Sequence, residues 1–199
     1  MIRESGPWKA ELLRDADLIE RWAKKTVESE RRSTLLERKV FVSAYAIRRL
    51  NEAVRISSRF RQVTLPVIRY PPTGASVDLW NNHRFGDLYD FNNGRDEKMP
   101  IFRFLNLIIH SLIFTRTVND RNQIVGFAVT SDNSSEEGVY FVNLRAFINL
   151  MRDVGRDNPT TFVRHRGGGA WLGDGEPPPE TSIVLKAERK RGRQKWRVR

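Results

Sequence analysis

The chain has 199 residues, 39% hydrophobic and 30% charged, with a formal net charge of +11 and no cysteine. That size supports one principal core domain, and the missing cysteine excludes a disulfide scaffold, thiolate catalysis and cysteine-based zinc or iron–sulfur sites, as fits a reducing cytoplasm. The N-terminus runs straight into charged residues, and the greasiest run, residues 104–114, is too short to span a bilayer, so a soluble chain without a membrane partner is expected.

Residues 8–28 read as an amphipathic helix, with Trp8, Leu12, Ala16, Ile19 and Ala23 recurring every three or four positions between charges. A polar junction follows, and Ser33 is an N-cap candidate for a second helix whose face carries Leu36, Val40, Ala44, Ile47, Leu50 and Val54, widened by Phe41, Tyr45 and Ala46. Two such helices joined by a short link are expected to pack as an antiparallel pair.

Between Gln62 and Met99, Val63, Leu65 and Val67 with breaks at Pro66, Pro71 and Pro72 predict an extended or edge segment and no long regular element. Trp80, Phe85, Leu88, Tyr89 and Phe91 alternate there with Asn, Asp and Gly, so this connection is expected to lie over the core. Pro100 suits the first turn of a helix over 101–114. Residues 113–118, 124–130 and 139–142 are β-branched and aromatic, and the polar runs between them predict a small antiparallel meander. Leu144, Phe147, Ile148, Met151 and Val154 mark a final helix, stopped by Gly155 and Pro159.

The expected fold class is thus α+β: an N-terminal helical hairpin plus a buried helix, packed with a small antiparallel meander and a final helix. Residues 1–155 form the expected core. Residues 156–180, with Gly167-Gly168-Gly169 and Pro177-Pro178-Pro179, read as a linker, and 181–199 as a short strand and basic tail. Residues 186–199 hold eight basic residues and one acid, +7 of the chain's +11. Lys186, Arg189, Lys190, Arg191, Arg193, Lys195, Arg197 and Arg199 attract a polyanion through counterion release, and Trp196 could stack on a base. RNA is the favoured partner, and the competing reading is a non-catalytic structural or adaptor protein whose tail docks on an acidic protein.

The helix over 101–114 carries the sharpest candidate. At about 100° per residue Arg103, Asn106 and His110 fall within roughly 60° of one another, while apolar residues cover most of the remaining circumference. A helix of that kind is expected to be buried, and burying a guanidinium, an amide and an imidazole is costly unless each is satisfied by another group or a ligand. A structural network would give His110 a backbone carbonyl and pair Arg103 with Glu37 or Glu52.

Arg103 and His110 have six residues between them, Asn106 lies four before His110, and the preceding helix reads Ser43-Ala44-Tyr45-Ala46-Ile47-Arg48-Arg49-Leu50. Over residues 30–115 the chain resembles the HEPN family of small helical nucleotide-binding and ribonuclease domains. In the commonest form of that motif an arginine immediately precedes the polar residue, and Leu105 stands there in this chain. The resemblance implies metal-independent RNA cleavage of the toxin or phage-defence kind. His110 would be the acid or base, Arg103 the phosphate stabiliser and Asn106 the positioner, with two copies pairing as a homodimer.

Elsewhere, His83, Asp87 and Asp90 offer nitrogen and carboxylate donors, but their spacing matches no zinc motif and loop capping accounts for them, so neither metal nor cofactor is expected. His165, between Arg164 and Arg166, reads as a basic segment. No phosphate-loop, dinucleotide-binding or nucleophile-elbow motif is present.

Overall fold

The computed structural model describes residues 2, 4–27, 29–74, 77–78, 80–165, 169–173, 184–190 and 193–198. The chain is an α+β protein. Helix α1 (Gly6–Ala23) and helix α2 (Glu30–Glu52) come first, followed by strand β1 (Thr64–Tyr70), the short helix α3 (Phe85–Leu88), strand β2 (Arg95–Pro100) and helix α4 (Ile101–Ile109). Strands β3 (Ser111–Val118), β4 (Ile124–Ser131) and β5 (Val139–Asn143) lead into helix α5 (Leu144–Arg156). Strands β6 (Thr161–His165), β7 (Gly169–Gly173), β8 (Val184–Lys190) and β9 (Arg193–Val198) follow.

The first sheet has strand order β2-β1-β5-β4-β3, all antiparallel. The expected meander is its β5-β4-β3 part. Strands β1 and β2 extend it on the other side, in a region where the sequence predicts no long regular element. Strand β2 is hidden in the sequence because it is an edge strand, so Arg95, Asp96, Glu97 and Lys98 need no apolar alternation, and such charges discourage further edge pairing. Pro66 fits within β1 because β1 meets β5 only from Val67, which pairs with Val142.

Side chains alternate through the sheet. Phe127, Val129, Tyr140 and Val142 enter the main core beneath α4 and α5, whereas Ala128, Val139 and Ile113 face a second cluster with Leu88 and Tyr89. Of the aromatic and apolar residues expected to lay the long connection over the core, Leu88, Tyr89 and the half-buried Phe85 pack on this second cluster, whereas Trp80 and Phe91 are exposed. Helices α4 and α5 lie against the sheet, α1 packs on α5 and α2 on α4. At Gly155 an added Cβ would stand 2.7 Å from the Leu13 side chain, so the missing side chain lets α5 approach α1.

Helix α2 begins three residues before the expected cap: Ser29, not Ser33, is the N-cap, and its hydroxyl accepts the Arg32 N–H at 3.4 Å. Asn143 caps α5 in the same way, accepting the Arg145 N–H at 2.9 Å. Helix α4 stops at Ile109, five residues short of the expected end. The reason is that Ile113, Thr115, Thr117 and Val118 are β-branched and pair across to β4.

The Gly- and Pro-rich stretch read as a linker carries β6 and β7, and the basic tail is a β-hairpin. Together they form a second sheet of order β7-β6-β8-β9. The Leu172 N–H donates to the Ser58 hydroxyl at 3.0 Å, and Leu172 is buried. Among the described residues no helix is long and apolar enough to cross a membrane.

Asp157, directly after α5 and buried, ties three segments together. Its carboxylate accepts the Ser57 N–H at 2.7 Å, the Ser57 hydroxyl at 2.6 Å and the Arg59 guanidinium at 3.3 Å, while its carbonyl accepts from the Lys9 ammonium at 2.8 Å. Burial holds the Lys9 ammonium below the ordinary lysine value, with the Asp157 charge opposing that shift. Asp157→Ala leaves a buried N–H and hydroxyl of Ser57 short of a partner and takes the carboxylate charge away from the Lys9 ammonium, which keeps its bond to the backbone carbonyl, and is expected to cost about 3 kcal/mol. Urea unfolding should show a midpoint lowered by about 1 M or more at unchanged slope.

Candidate nucleic-acid interface

The apolar side of α4, Ile101, Phe104, Leu105, Leu107 and Ile108, is buried, and its polar stripe is not: Arg103, Asn106 and His110 are exposed. The expectation of an enclosed helix is therefore corrected. The helix is amphipathic and gives its narrow polar side to solvent, so no burial cost is incurred for these three groups.

The stripe also divides. The Arg103 guanidinium forms an ion pair with Glu137 and donates to the Tyr140 hydroxyl at 3.1 Å, and it lies 5.7 Å from the centroid of the Tyr140 ring. The Tyr140 hydroxyl in turn donates to Glu137 at 3.0 Å. Arg103 is thus turned toward the loop before β5 and pairs with neither Glu37 nor Glu52.

Asn106 and His110 meet a different arginine. Arg48, near the end of α2, donates through Nη1 to Asn106 Oδ1 at 2.8 Å, and the same nitrogen stands 3.4 Å from His110 Nε2. A guanidinium only donates, so this contact uses Nε2 as acceptor and leaves the proton of a neutral ring on Nδ1. His110 lies just beyond the last helical turn, and its backbone N–H bonds the Asn106 carbonyl at 3.0 Å, which fixes the two residues relative to each other.

Glu52 sets the arginine. Its carboxylate accepts from Arg48 Nε at 2.9 Å and pairs with Arg49, and these two donors hold it below the usual carboxylate range. Among the described residues the contacts engage Nε and Nη1 of Arg48, which leaves Nη2 for an incoming oxygen. The arrangement is a half-buried fork with an exposed amide and imidazole, drawn from α2 and the end of α4, a donor set suited to a phosphate.

Arg48 lies within the segment that carries the family resemblance, but it has no mark of its own in the sequence except the Arg48/Glu52 spacing of four on one helix face. The contact with α4 spans 58 residues and only the fold reveals it.

The other candidates are placed as follows. Asp87 pairs with Arg84 at 3.0 Å, and Asp90 accepts from the Asn93 amide at 2.5 Å and the Asn92 N–H at 2.9 Å, with Asn93 the larger cause of its lowered pKa. Among the described residues no group of three or more His, Asp or Glu could hold a metal ion, so His83, Asp87 and Asp90 are not brought together. His165 ends β6, and Arg166, Gly167 and Gly168 lie outside the described residues. Lys186, Arg189 and Lys190 fall on β8, and Arg193, Lys195, Trp196 and Arg197 on β9; Arg191 and Arg199 lie outside the described residues. Comparison with protein-family models, curated proteins and solved structures finds no match to the chain.

Burial pushes the Tyr140 phenol up to about 12, opposed by the Arg103 charge, and burial likewise pushes Tyr89, which donates to the Ser135 carbonyl at 3.1 Å, up to about 12. Both phenols keep their protons in the folded chain to higher pH than in the unfolded chain, where the ordinary value is near 10. Their contribution to stability is complete below pH 10 and is lost as pH rises toward about 12. Far-ultraviolet circular dichroism and tyrosinate absorbance should therefore show unfolding and ionisation together above pH 10. Tyr89→Phe with Tyr140→Phe should flatten that alkaline loss.

Proposed function

We propose that this protein binds RNA through its phosphate backbone, with Arg48 and Asn106 taking the phosphate oxygens and His110 standing beside the ribose. The observation that carries this reading is the meeting of Arg48, Asn106 and His110 at an exposed point between α2 and α4. A fork already held by Glu52 loses less side-chain freedom when it takes a phosphate. Cysteine-free composition and an RNA partner together fit the cytoplasm.

The basic hairpin supports the same partner. In the β8–β9 register Lys186 stands opposite Arg197 and Lys190 opposite Arg193, with Glu188 opposite Lys195 between them. This register gathers Lys186, Arg189, Lys190, Arg193, Lys195 and Arg197 into one short hairpin, a charge density that attracts a polyanion.

Cleavage in the HEPN-like manner is the sharper form of the proposal. The ribose 2′-oxygen bonds to phosphorus, the bond from phosphorus to the 5′-oxygen breaks, and His110 carries the proton from the first oxygen to the second, with Arg48 in the stabilising role first given to Arg103. No co-reactant is needed. A homodimer would bring a second His110, so that one imidazole could take the proton and the other deliver it.

Labelled single-stranded RNA titrated with the full chain tests the reading. Wild-type protein should bind with an affinity that falls steeply with salt, and Arg48→Ala should weaken it about 10-fold or more. His110→Ala should abolish cleavage while leaving the thermal melt in place. Removal of residues 184–199 should flatten the salt dependence. Binding unchanged in Arg48→Ala sinks the site, whereas RNA bound but never cleaved removes the catalytic form alone.

A further inference from the structure

The face of α2 that presents Arg48 continues back along the helix. Residues 38, 41, 45 and 48 are spaced by three, four and three, so Arg38, Phe41, Tyr45 and Arg48 fall within about 80° of one another and run about 15 Å along the axis. The core stripe of the same helix, Leu36, Val40, Ile47 and Leu50, lies roughly on the opposite side.

This second stripe is open to solvent where a core stripe would be closed. Tyr45 is 49% exposed and Arg38 is exposed, while Phe41 is half-buried against Phe114 of β3, with ring centroids 5.0 Å apart. Tyr45 and Phe41, expected to widen the core face, thus take different places: Phe41 rests on the core's edge and Tyr45 stands clear of it. No acid occupies a position three or four residues from Arg38, since Thr34, Leu35, Phe41 and Val42 stand there. The charge at that end of the stripe has no helical counter-ion. The charge at the other end is the Arg48 fork already joined to Asn106 and His110.

We infer that this stripe is a track for single-stranded nucleic acid, two to three nucleotides long, with Arg48 and Arg38 on successive or next-but-one phosphates and Tyr45 as the platform on which an intervening base stacks. Phe41 extends the platform at the edge of β3. The ligand class follows from the chemistry: two cations separated by aromatic faces match a backbone whose bases are unstacked, and a duplex keeps its bases turned inward. An acidic peptide would use the two arginines but gain little from Tyr45. The inference rests on the phosphate reading of Arg48 and adds the strandedness and a base contact.

Fluorescence anisotropy with a labelled single-stranded oligoribonucleotide and with the duplex of the same sequence, at several salt concentrations, separates the two layers. The single strand should bind more tightly than the duplex. Tyr45→Ala should weaken the single strand about 5- to 100-fold and leave the duplex unchanged, and Tyr45→Phe should stay within about twofold of wild type. Arg38→Gln should reduce the salt slope by about 0.7, and it carries the test by itself if Tyr45→Ala proves unstable.

The track is overturned if Tyr45→Ala binds the single strand as wild type does, if the duplex binds as tightly, or if polyglutamate competes as well as the oligonucleotide. Arg48→Ala reports on the layer beneath. If Arg48→Ala weakens both nucleic acids and Tyr45→Ala weakens neither, the phosphate site stands without the track; if Arg48→Ala changes neither, both fall.

Discussion

Phe127 is the residue on which the rest of the structure turns. From β4 its ring meets Phe104 of α4 at 6.0 Å, Phe147 of α5 at 5.8 Å and Phe114 of β3 at 5.1 Å, and Phe104 and Phe147 meet each other at 5.8 Å. Phe41 of α2 closes the series through Phe114. Such rings bury large areas and gain from tilted and edge contacts, so one cluster fixes two helices against the sheet and hands the position of α2 on from there. A change in that packing would shift α2 relative to α4, and Arg48 would no longer reach Asn106.

That dependence explains the geometry of the candidate interface. Arg48 belongs to α2, Asn106 to α4 and His110 to the cap that ends α4; no local rule brings the arginine to the other two. Glu52 holds the fork, the bond from the His110 N–H to the Asn106 carbonyl holds amide and ring relative to each other, and the aromatic cluster below keeps the helices in register. The interface is precise because it sits on rigid elements, although its own groups are open to water.

Much of the fold was legible in the sequence because burial writes a periodic signature. Leu12, Ala16 and Ile19 in α1 and Phe147, Met151 and Val154 in α5 recur with the helical period, and the meander strands are β-branched between polar turns. Strand β2 left no such signature, since an edge strand of charged residues looks like a loop. The boundary after Ile109 was illegible for another reason. An unbroken apolar run serves a helix or a strand equally, and cross-strand pairing with β4 decides where one becomes the other. The candidate interface was half-legible. Asn106 on α4 and His110 at its C-cap have a spacing that the sequence shows, but their exposure depended on which side of α4 met the core, and Arg48 reached them through a tertiary contact. Arg103, with the same spacing to recommend it, was drawn away by Glu137 and Tyr140, partners more than thirty residues distant in sequence.

The anchoring of Arg48 has a consequence in charge stoichiometry. Glu52 is shared between Arg48 and Arg49, so two cations stand against one carboxylate. However that carboxylate divides its hydrogen bonds, among the described residues one unit of positive charge at the end of α2 has no carboxylate of its own. An ordinary one-to-one ion pair would present an approaching anion with a neutral dipole that first had to be opened. Here an anion would meet a net monopole, whose attraction falls off more slowly with distance, and the carboxylate that steadies the arginine would not have to let go for it to arrive.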